Sequence, residues 1–562
     1  MSAARAPSVG RESGLLFLAL ALVYWLLRCP SFGPGDSAQH ALSAMVWGVS
    51  RPPGYPLYTA VAHAFARLGG VSFVGGFSGL AQAAAAALLF RVCRRQGCGL
   101  PAALAATLLL AFSPLYWFYA EVPEVRGLND ALAMGAAAAA LDGPDWLLGV
   151  LLGLGVAHHP TFLFIVPSLA LLNPSRVKDG RRLSAIAAIA AAAGALPYAL
   201  LWARLRLGAP PIYNPDAVSS ASDVLGLFLR RRTGGLFSVA AGGGPGFSAA
   251  GFAAQLGWYG RSAAASLTLG LALAVLGGWS LRAKPRLLLA WALWAALPAV
   301  IYAAMAAAQL RAVDEKYFYA VAARFHLLPL MGLAVLAALG AQELAARTRE
   351  RFIWGLAAAA VAGALIRPVD LRAHEPTRRY AQDLLDATKP GDALVLDSDD
   401  AIFSLLYADL AEGRGGGRVW LVPPMLSYPP YRAQLARAHP GFTVVGDARG
   451  FSHDWSAWAA ANKGRAFWAE GSLREVLEKE HAAAYPDGPL IRLAAADPGT
   501  PDEGARRFLY SSLGKLARWD LFEETQEVSL ERAAVPLAHW HLHRARDPKL
   551  HDPLAQRLEE LW

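Results

Sequence analysis

Asp36 and Glu124 are the carboxylates whose surroundings best suit them to chemistry. Asp36 opens the polar stretch Gly35-Asp36-Ser37-Ala38-Gln39-His40, which runs through Arg51 into a stiff Pro52-Pro53-Gly54-Tyr55-Pro56 turn. Glu124 stands in Phe118-Tyr119-Ala120-Glu121-Val122-Pro123-Glu124-Val125-Arg126, where Glu121, Glu124 and Arg126 fall close together ahead of Asn129 and Asp130. A carboxylate with a tuned pKa can take the proton of an attacking hydroxyl, and a guanidinium makes paired hydrogen bonds to phosphate oxygens. These residue types therefore suit general-base chemistry at Asp36, with Glu124 facing it, and phosphate binding at Arg126.

Each of these residues also has a purely structural reading. Asp36 and Gln39 fit an Asp-x-x-Gln capping box for a helix over 37–46, and Glu121, Glu124 and Arg126 fit an internal ion-pair network. His158 and His159, followed by Pro160, suit hydrogen bonding to a phosphate or a sugar hydroxyl, or a satisfied structural role. A histidine pair alone is a weak metal signal, and the His-Glu-x-x-His pattern of zinc proteases is absent from the apolar segments. Arg311, Asp314, Glu315 and Lys316, then Arg324 and His326, form a last polar cluster. Arg324 fits either a lipid phosphate or snorkelling to a membrane interface.

The elements that must position these groups are apolar. Hydrophobic residues make up 55% of the 562, charged residues only 17%, with 17 Trp and 36 Pro; mean hydropathy is +0.33. This composition points to a membrane protein. The formal charge of +9 is dispersed in short clusters between apolar runs rather than gathered on a face, so nucleic acid is not an expected partner. Cys29, Cys93 and Cys98 are too few for a disulfide scaffold.

Apolar runs at 14–29, 74–90, 101–118, 127–141, 146–157, 161–172, 184–203, 262–279, 286–308, 323–340 and 352–366 predict ten or eleven transmembrane segments, ten if the short runs either side of His158-His159 are one broken helix, and the charge clusters favour eleven. The run at 14–29 lacks a cleavage site and reads as a retained first helix with its N-terminus cytoplasmic. With eleven segments the clusters at 91–95, 176–182, 282–286 and 347–351 all fall on the cytoplasmic side, as the positive-inside rule asks. The loops at 30–73, 119–126, 204–261 and 309–322 then share the extracytoplasmic side. Within 204–261, an apolar patch at 224–229, Gly242-Gly243-Gly244 and the triplet Arg230-Arg231-Arg232 suggest a surface-lying or re-entrant element, with the arginines as a headgroup anchor or a phosphate site.

From about residue 369 the texture becomes soluble α/β. Strands are expected at 393–396, 419–422 and 442–445, with helices at 401–410, 431–438, 471–484 and 503–536. Asp397, Asp399 and Asp400 read as caps of the helix that follows the first strand. No GxGxxG or GxxxxGK[ST] motif opens a helix there. The expected division is 1–368, a transmembrane catalytic domain, and 369–562, a soluble extracytoplasmic α/β domain.

Five motifs occur in order: Gly35-Asp36-Ser37-Ala38-Gln39, Pro52-Pro53-Gly54-Tyr55-Pro56-Leu57-Tyr58, Glu124-Val125 with Leu128-Asn129, His158-His159-Pro160-Thr161, and Arg324-Phe325 before Leu328-Pro329. Together they resemble the bacterial DUF2723 membrane family, which is similar to eukaryotic transmembrane protein O-mannosyltransferases of the GT-C glycosyltransferase superfamily. The resemblance implies a polytopic α-helical GT-C-like fold in the inner membrane. It also implies transfer of a sugar, mannose among the possibilities, from a polyprenyl-phosphate carrier to a hydroxyl on an acceptor protein or glycan, with no cofactor.

On that resemblance Asp36 is the general base, and Glu124, His159 and Arg324 match polar positions of the family. Glu124 is further assigned to acceptor or sugar positioning and Arg324 to the donor phosphate. Gln39, His40, Arg51, Tyr55, Glu121, Arg126 and His158 complete the expected donor or acceptor site. Family members usually carry an acid at Gln39, histidine at Arg51 and an aromatic at Arg126, so a two-carboxylate metal site is not expected. The competing class, a transporter or flippase of a lipid-linked or anionic precursor, would place its polar groups near the bilayer midplane on broken helices, whereas here they gather in loops.

Overall fold

The computed structural model describes residues 6–231, 246–309, 322–348, 350–426, 428–446, 455–479, 483–494, 499–515 and 528–561. Arg232, Gly242-Gly243-Gly244 and the cluster Arg311, Asp314, Glu315 and Lys316 lie outside the described residues. Two compact units emerge. Met1–Pro30, Ser50–Pro210 and Val218–Ala373 form the first; Ser31–Val49, Pro211–Ala217 and His374–Trp562 form the second.

The first unit is a polytopic helical bundle. Five helices are long and apolar enough to cross a membrane: Val9–Leu27, Val71–Arg95, Gly180–Leu207, Pro285–Ala308 and Arg324–Arg347. Two further pairs, Leu100–Ala111 with Pro114–Glu121 and Ala249–Leu267 with Gly270–Ala283, bend by 66° and 101°, which raises the number to seven if each pair is one span. The expected eleven is therefore corrected to five to seven among the described residues. Breakers in the sequence shorten the remaining apolar runs. Phe112-Ser113-Pro114 and Thr268, with φ at 48°, interrupt the bent pairs. His159 ends Asp145–His158 in extended conformation, and Pro160 starts a 3-10 turn. The cytoplasmic placement of four cation clusters rested on eleven spans and loses that count.

Small residues let these helices approach closely. A Cβ on Gly277 would run into the Leu336 carbonyl, and one on Gly340 into that of Leu273, so Gly270–Ser280 and Leu327–Arg347 meet backbone to backbone. Gly153 does the same for Asp145–His158 against Ala190 of Gly180–Leu207. Buried Trp294 locks Pro285–Gln309 to the next helix, its Nε1–H donating to the Leu328 carbonyl at 3.0 Å. The expected surface element at 224–229 is the helix Ala221–Phe228, started by a Ser220/Asp223 capping box.

The second unit is built on a five-stranded mixed sheet of order β2-β1-β3-β5-β4. Its strands are β1 Ala393–Val395, β2 Val419–Leu421, β3 Phe467–Glu470, β4 Ala484–Asp487 and β5 Leu490–Leu493. β1 pairs parallel with β2 and β3, while β3–β5 and β5–β4 are antiparallel. Pro486 is tolerated because β4 is an edge.

The strand expected at 442–445 does not form. The side chain of Asn462 takes the ladder's place, accepting from Thr443 N at 2.7 Å and donating to Thr443 O at 2.9 Å. β3 supplies the missing central position. The helix expected at 471–484 shortens to a 3-10 turn and Arg474–Lys479, and 503–536 contains the ends of Pro501–Tyr510 and Val528–Arg544.

Candidate functional site

The Pro52-Pro53-Gly54-Tyr55-Pro56 turn is fixed from several sides. The Arg51 carbonyl accepts from Gly54 N at 2.8 Å, and the Pro52–Pro53 peptide is cis. Gly54 has φ +89°, a conformation that favours glycine, and a side chain there would have to displace Leu227. Tyr55 takes the left-handed conformation at φ 45°, uncommon for a bulky residue and a recurrent trait of functional sites. Pro56 then starts the helix Pro56–Gly69. The Tyr198 hydroxyl bridges this turn to the end of Asp145–His158, 2.8 Å from the Pro53 carbonyl and 3.1 Å from that of Ala157.

The turn aims Tyr55 at the two histidines, with ring centroids 5.9 Å from His158 and 6.0 Å from His159, the latter stacked. His158 Nε2 sits 2.9 Å from the Val125 carbonyl, which ties the histidine break to the Glu124 loop. His159 Nδ1 accepts from Thr161 N at 3.2 Å and lies 2.7 Å from Thr161 Oγ1. The neutral ring therefore carries its proton on Nε2.

Glu124 is buried and held by its backbone: its N–H donates to Ser78 Oγ at 2.9 Å, and its carbonyl accepts from that hydroxyl at 3.0 Å. Its Oε1 accepts from Val125 N at 2.8 Å.

Phe325 joins the rest of the site. The Arg126 guanidinium lies 4.1 Å from its ring centroid, Tyr302 stacks on it at 4.1 Å, and His159 meets it edge-on at 6.2 Å. Arg324 lies 5.7 Å from the same ring. Arg126, Arg230 and Arg324 all act electrostatically on His159. Buried Asp130, one turn beyond Arg126, couples to that guanidinium beside Gln82 and Asn129. Two guanidiniums at one aromatic ring, which His159 and Tyr302 also meet, are groups suited to holding an anion.

The first unit also holds an apolar cavity of about 760 Å³ between Asp145–His158, Gly180–Leu207 and Ala221–Phe228. Leu152, Val156, Tyr198, Trp202, Leu225 and Phe228 line it, and the lining includes Ala157, the residue before His158, and Leu163 beyond the histidine break.

Arg51, Tyr55, Glu121, Glu124, Arg126, His158, His159 and Arg324 belong to the first unit. Glu121 has separate partners: its carboxylate accepts from Trp117 Nε1 at 2.5 Å and feels the charges of Asp370 and Arg372. Asp36, Gln39 and His40 belong to the second unit, on the helix Asp36–Met45. The capping box is corrected. Gly35 is the N-cap, with no side-chain cap bond, and Asp36 is the first helical residue, half-buried, where its charge favours the helix dipole.

Asp400 Oδ1 accepts from Gly35 N at 2.6 Å, and Phe32 packs edge-on against Tyr407 at 4.9 Å. The start of the Asp36 helix is thus pinned to the helix Asp399–Leu410. That helix is itself capped by Ser398, not by an aspartate, with Asp397 N and Ser398 N both donating to Glu470 at 2.9 Å. Burial, the largest effect on Asp397, raises its carboxyl above the usual range.

Sequence reasoning missed Tyr302 and the joining role of Phe325. The available signal was a tyrosine, with its polar tip, inside an otherwise Ala-rich helix.

No family model matches the chain, so the resemblance stands at a coarser level than DUF2723. The chain is 29% identical over 126 residues to the protein O-mannosyl-transferase tmem260 of Dictyostelium discoideum, covering 21% of this chain and 15% of that protein. It is 35% identical over 124 residues to the mouse protein O-mannosyl-transferase TMEM260, covering 21% and 18%. The matches thus span less than a fifth of these relatives' length. Among solved structures, the apo crystal structure of ArnT from Cupriavidus metallidurans superposes with TM-score 0.53 at 13% identity, covering 86% of this chain and 98% of that one. The form of ArnT bound to undecaprenyl phosphate gives TM-score 0.50 at 13% identity with the same coverage. The chain therefore has a polytopic α-helical GT-C-like fold with a C-terminal mixed-sheet domain.

Proposed function

We propose that this chain is a GT-C-type glycosyltransferase that moves a sugar from a polyprenyl-phosphate carrier to an acceptor hydroxyl at the extracytoplasmic face of a bacterial inner membrane. The observation that carries the reading is the Arg126–Phe325–Arg324 arrangement beside His159. Guanidiniums held against an aromatic ring suit a leaving phosphate, whose charge grows as the glycosidic bond breaks. The apolar cavity, whose lining includes Ala157 before His158, suits the isoprenoid portion of the carrier.

Asp36 is assigned as general base. It takes the acceptor proton as the hydroxyl oxygen attacks the anomeric carbon, the carrier phosphate departs with the bonding electrons, and one displacement inverts the configuration. Glu124 positions the acceptor or sugar, and Tyr55 and His159 offer a stacking face and an N–H donor. Gln39, His40, Arg51, Glu121, Arg126 and His158 complete the assigned binding set, with no metal. The O-mannosyl-transferase relatives favour mannose and a protein acceptor. The N-terminus is assigned to the cytoplasm and the second unit to the extracytoplasmic side.

The test is transfer by purified full-length protein from a panel of polyprenyl-phosphate sugars to peptide and glycan acceptors. Transfer that stops in Asp36→Asn supports the reading. Movement of lipid-linked sugar across vesicles without transfer would replace it with a flippase.

A further inference from the structure

The helix Val528–Arg544 in the second unit carries three histidines, and they do different things. His541 turns inward, its Nε2 3.0 Å from the Gly488 carbonyl and its ring stacked on Phe508. His539 and His543 are one turn apart on the exposed side. Their Nε2 atoms face each other at 3.1 Å, with ring centroids 4.3 Å apart.

That separation is the bite of a metal. Two imidazole nitrogens at about 2.0–2.1 Å from one cation lie about 3.3 Å apart at a tetrahedral angle and about 2.9 Å apart at a right angle. Histidines four residues apart on one helix face are a recurrent way to supply such a pair.

Arg474, on the short helix Arg474–Lys479, controls the pair. Its Nη1 donates to His539 Nδ1 at 3.2 Å and to the Pro536 carbonyl at 3.2 Å, while its Nε donates to Glu478 Oε1 at 2.9 Å. A guanidinium only donates, so Nδ1 of His539 is an acceptor and the neutral ring keeps its proton on Nε2, between the two rings. A metal-bound histidine needs the opposite tautomer, with Nδ1–H donating outward. Binding therefore requires the His539 proton to move from Nε2 to Nδ1 and Arg474 to withdraw.

We propose that His539 and His543 form a bidentate site for a late first-row divalent cation of the Zn²⁺ and Ni²⁺ type, with Arg474 as the group that opposes loading.

The experiment is calorimetric titration of Zn²⁺, and separately Ni²⁺, into full-length protein stripped with a chelator. Both histidines are exposed, and circular dichroism confirms that the variants fold. The expected result is one site that weakens at least tenfold in His539→Ala and in His543→Ala and tightens severalfold in Arg474→Gln. Binding of equal affinity and stoichiometry in the two histidine variants overturns the site. Weaker binding in Arg474→Gln overturns the opposing role of the arginine.

Discussion

The guanidinium of Arg126 lies 4.1 Å from the ring centroid of Phe325, the same ring on which Tyr302 stacks. A cation held over an aromatic face contributes about 0.5–2 kcal/mol. Phe325→Leu keeps an apolar side chain, though a smaller one, and removes the aromatic face. It is expected to raise the KM for the lipid-linked donor roughly three- to thirtyfold, with a smaller effect on kcat. Unaltered donor saturation in the variant would detach this ring from donor binding.

Asp36 stands at the first turn of a helix whose start is tied to Asp400 through Gly35. Asp36→Asn conserves shape and removes the basic oxygen, so transfer should fall about 10²- to 10⁴-fold while thermal unfolding stays near wild type. Asp400→Ala should lower transfer less, by loosening the helix start. Transfer rates of both variants on one donor check the order.

Tyr198 offers its hydroxyl to two carbonyls, on Pro53 and Ala157. In Tyr198→Phe these buried acceptors lose their donor at a cost of about 1–3 kcal/mol. A lowered unfolding temperature in detergent and faster proteolysis at the 52–56 turn are expected, and a variant as stable as wild type would mean that the Tyr198 bonds do not hold the turn.

His541 gives the second unit a defined response to pH. Burial, foremost, holds its imidazole down to about 4, against the hydrogen bond to Gly488 that favours the charged form. An unfolded histidine titrates near 6.5, so between those values the unfolded chain binds the extra proton. This contribution to stability is complete above about pH 6.5, falls as pH drops toward 4, and levels off below, a change on the order of 3 kcal/mol. Comparing unfolding of wild type and His541→Gln from pH 7 to 4.5 isolates it; parallel curves would contradict it.

Much of the scaffold was legible because it is local. The helix expected at 37–46 is Asp36–Met45, and strands expected at 393–396 and 419–422 are β1 and β2. Local patterning failed where a distant partner decides. Thr443 belongs to no strand because Asn462 occupies its backbone, and no neighbour in sequence announces that.

The helix at Asp36 was right and its cap was wrong, since Asp-x-x-Gln allows a box that the backbone starts one residue too early to use. Apolar runs and the parity of the cation clusters gave eleven spans because neither registers helix length: Asp145–His158, Pro160–Leu172 and Arg351–Ile366 are apolar helices of only 10–17 residues. In the site, His158, His159 and Arg324 stood out by type. The ring that joins them to Arg126 and Tyr302 is an ordinary phenylalanine, visible only once the helices are packed.

Tyr198 has one further consequence. Its ring lines the apolar cavity while its hydroxyl holds the turn that presents Tyr55. A molecule that fills the cavity and one that docks on Tyr55 therefore share a single mechanical element, and linkage makes any coupling between them reciprocal. To the extent that a chain in the cavity steadies the turn, a ligand on Tyr55 slows that chain's escape by the same free energy. Occupancy of the greasy side is then reported to the polar side without either ligand touching the other.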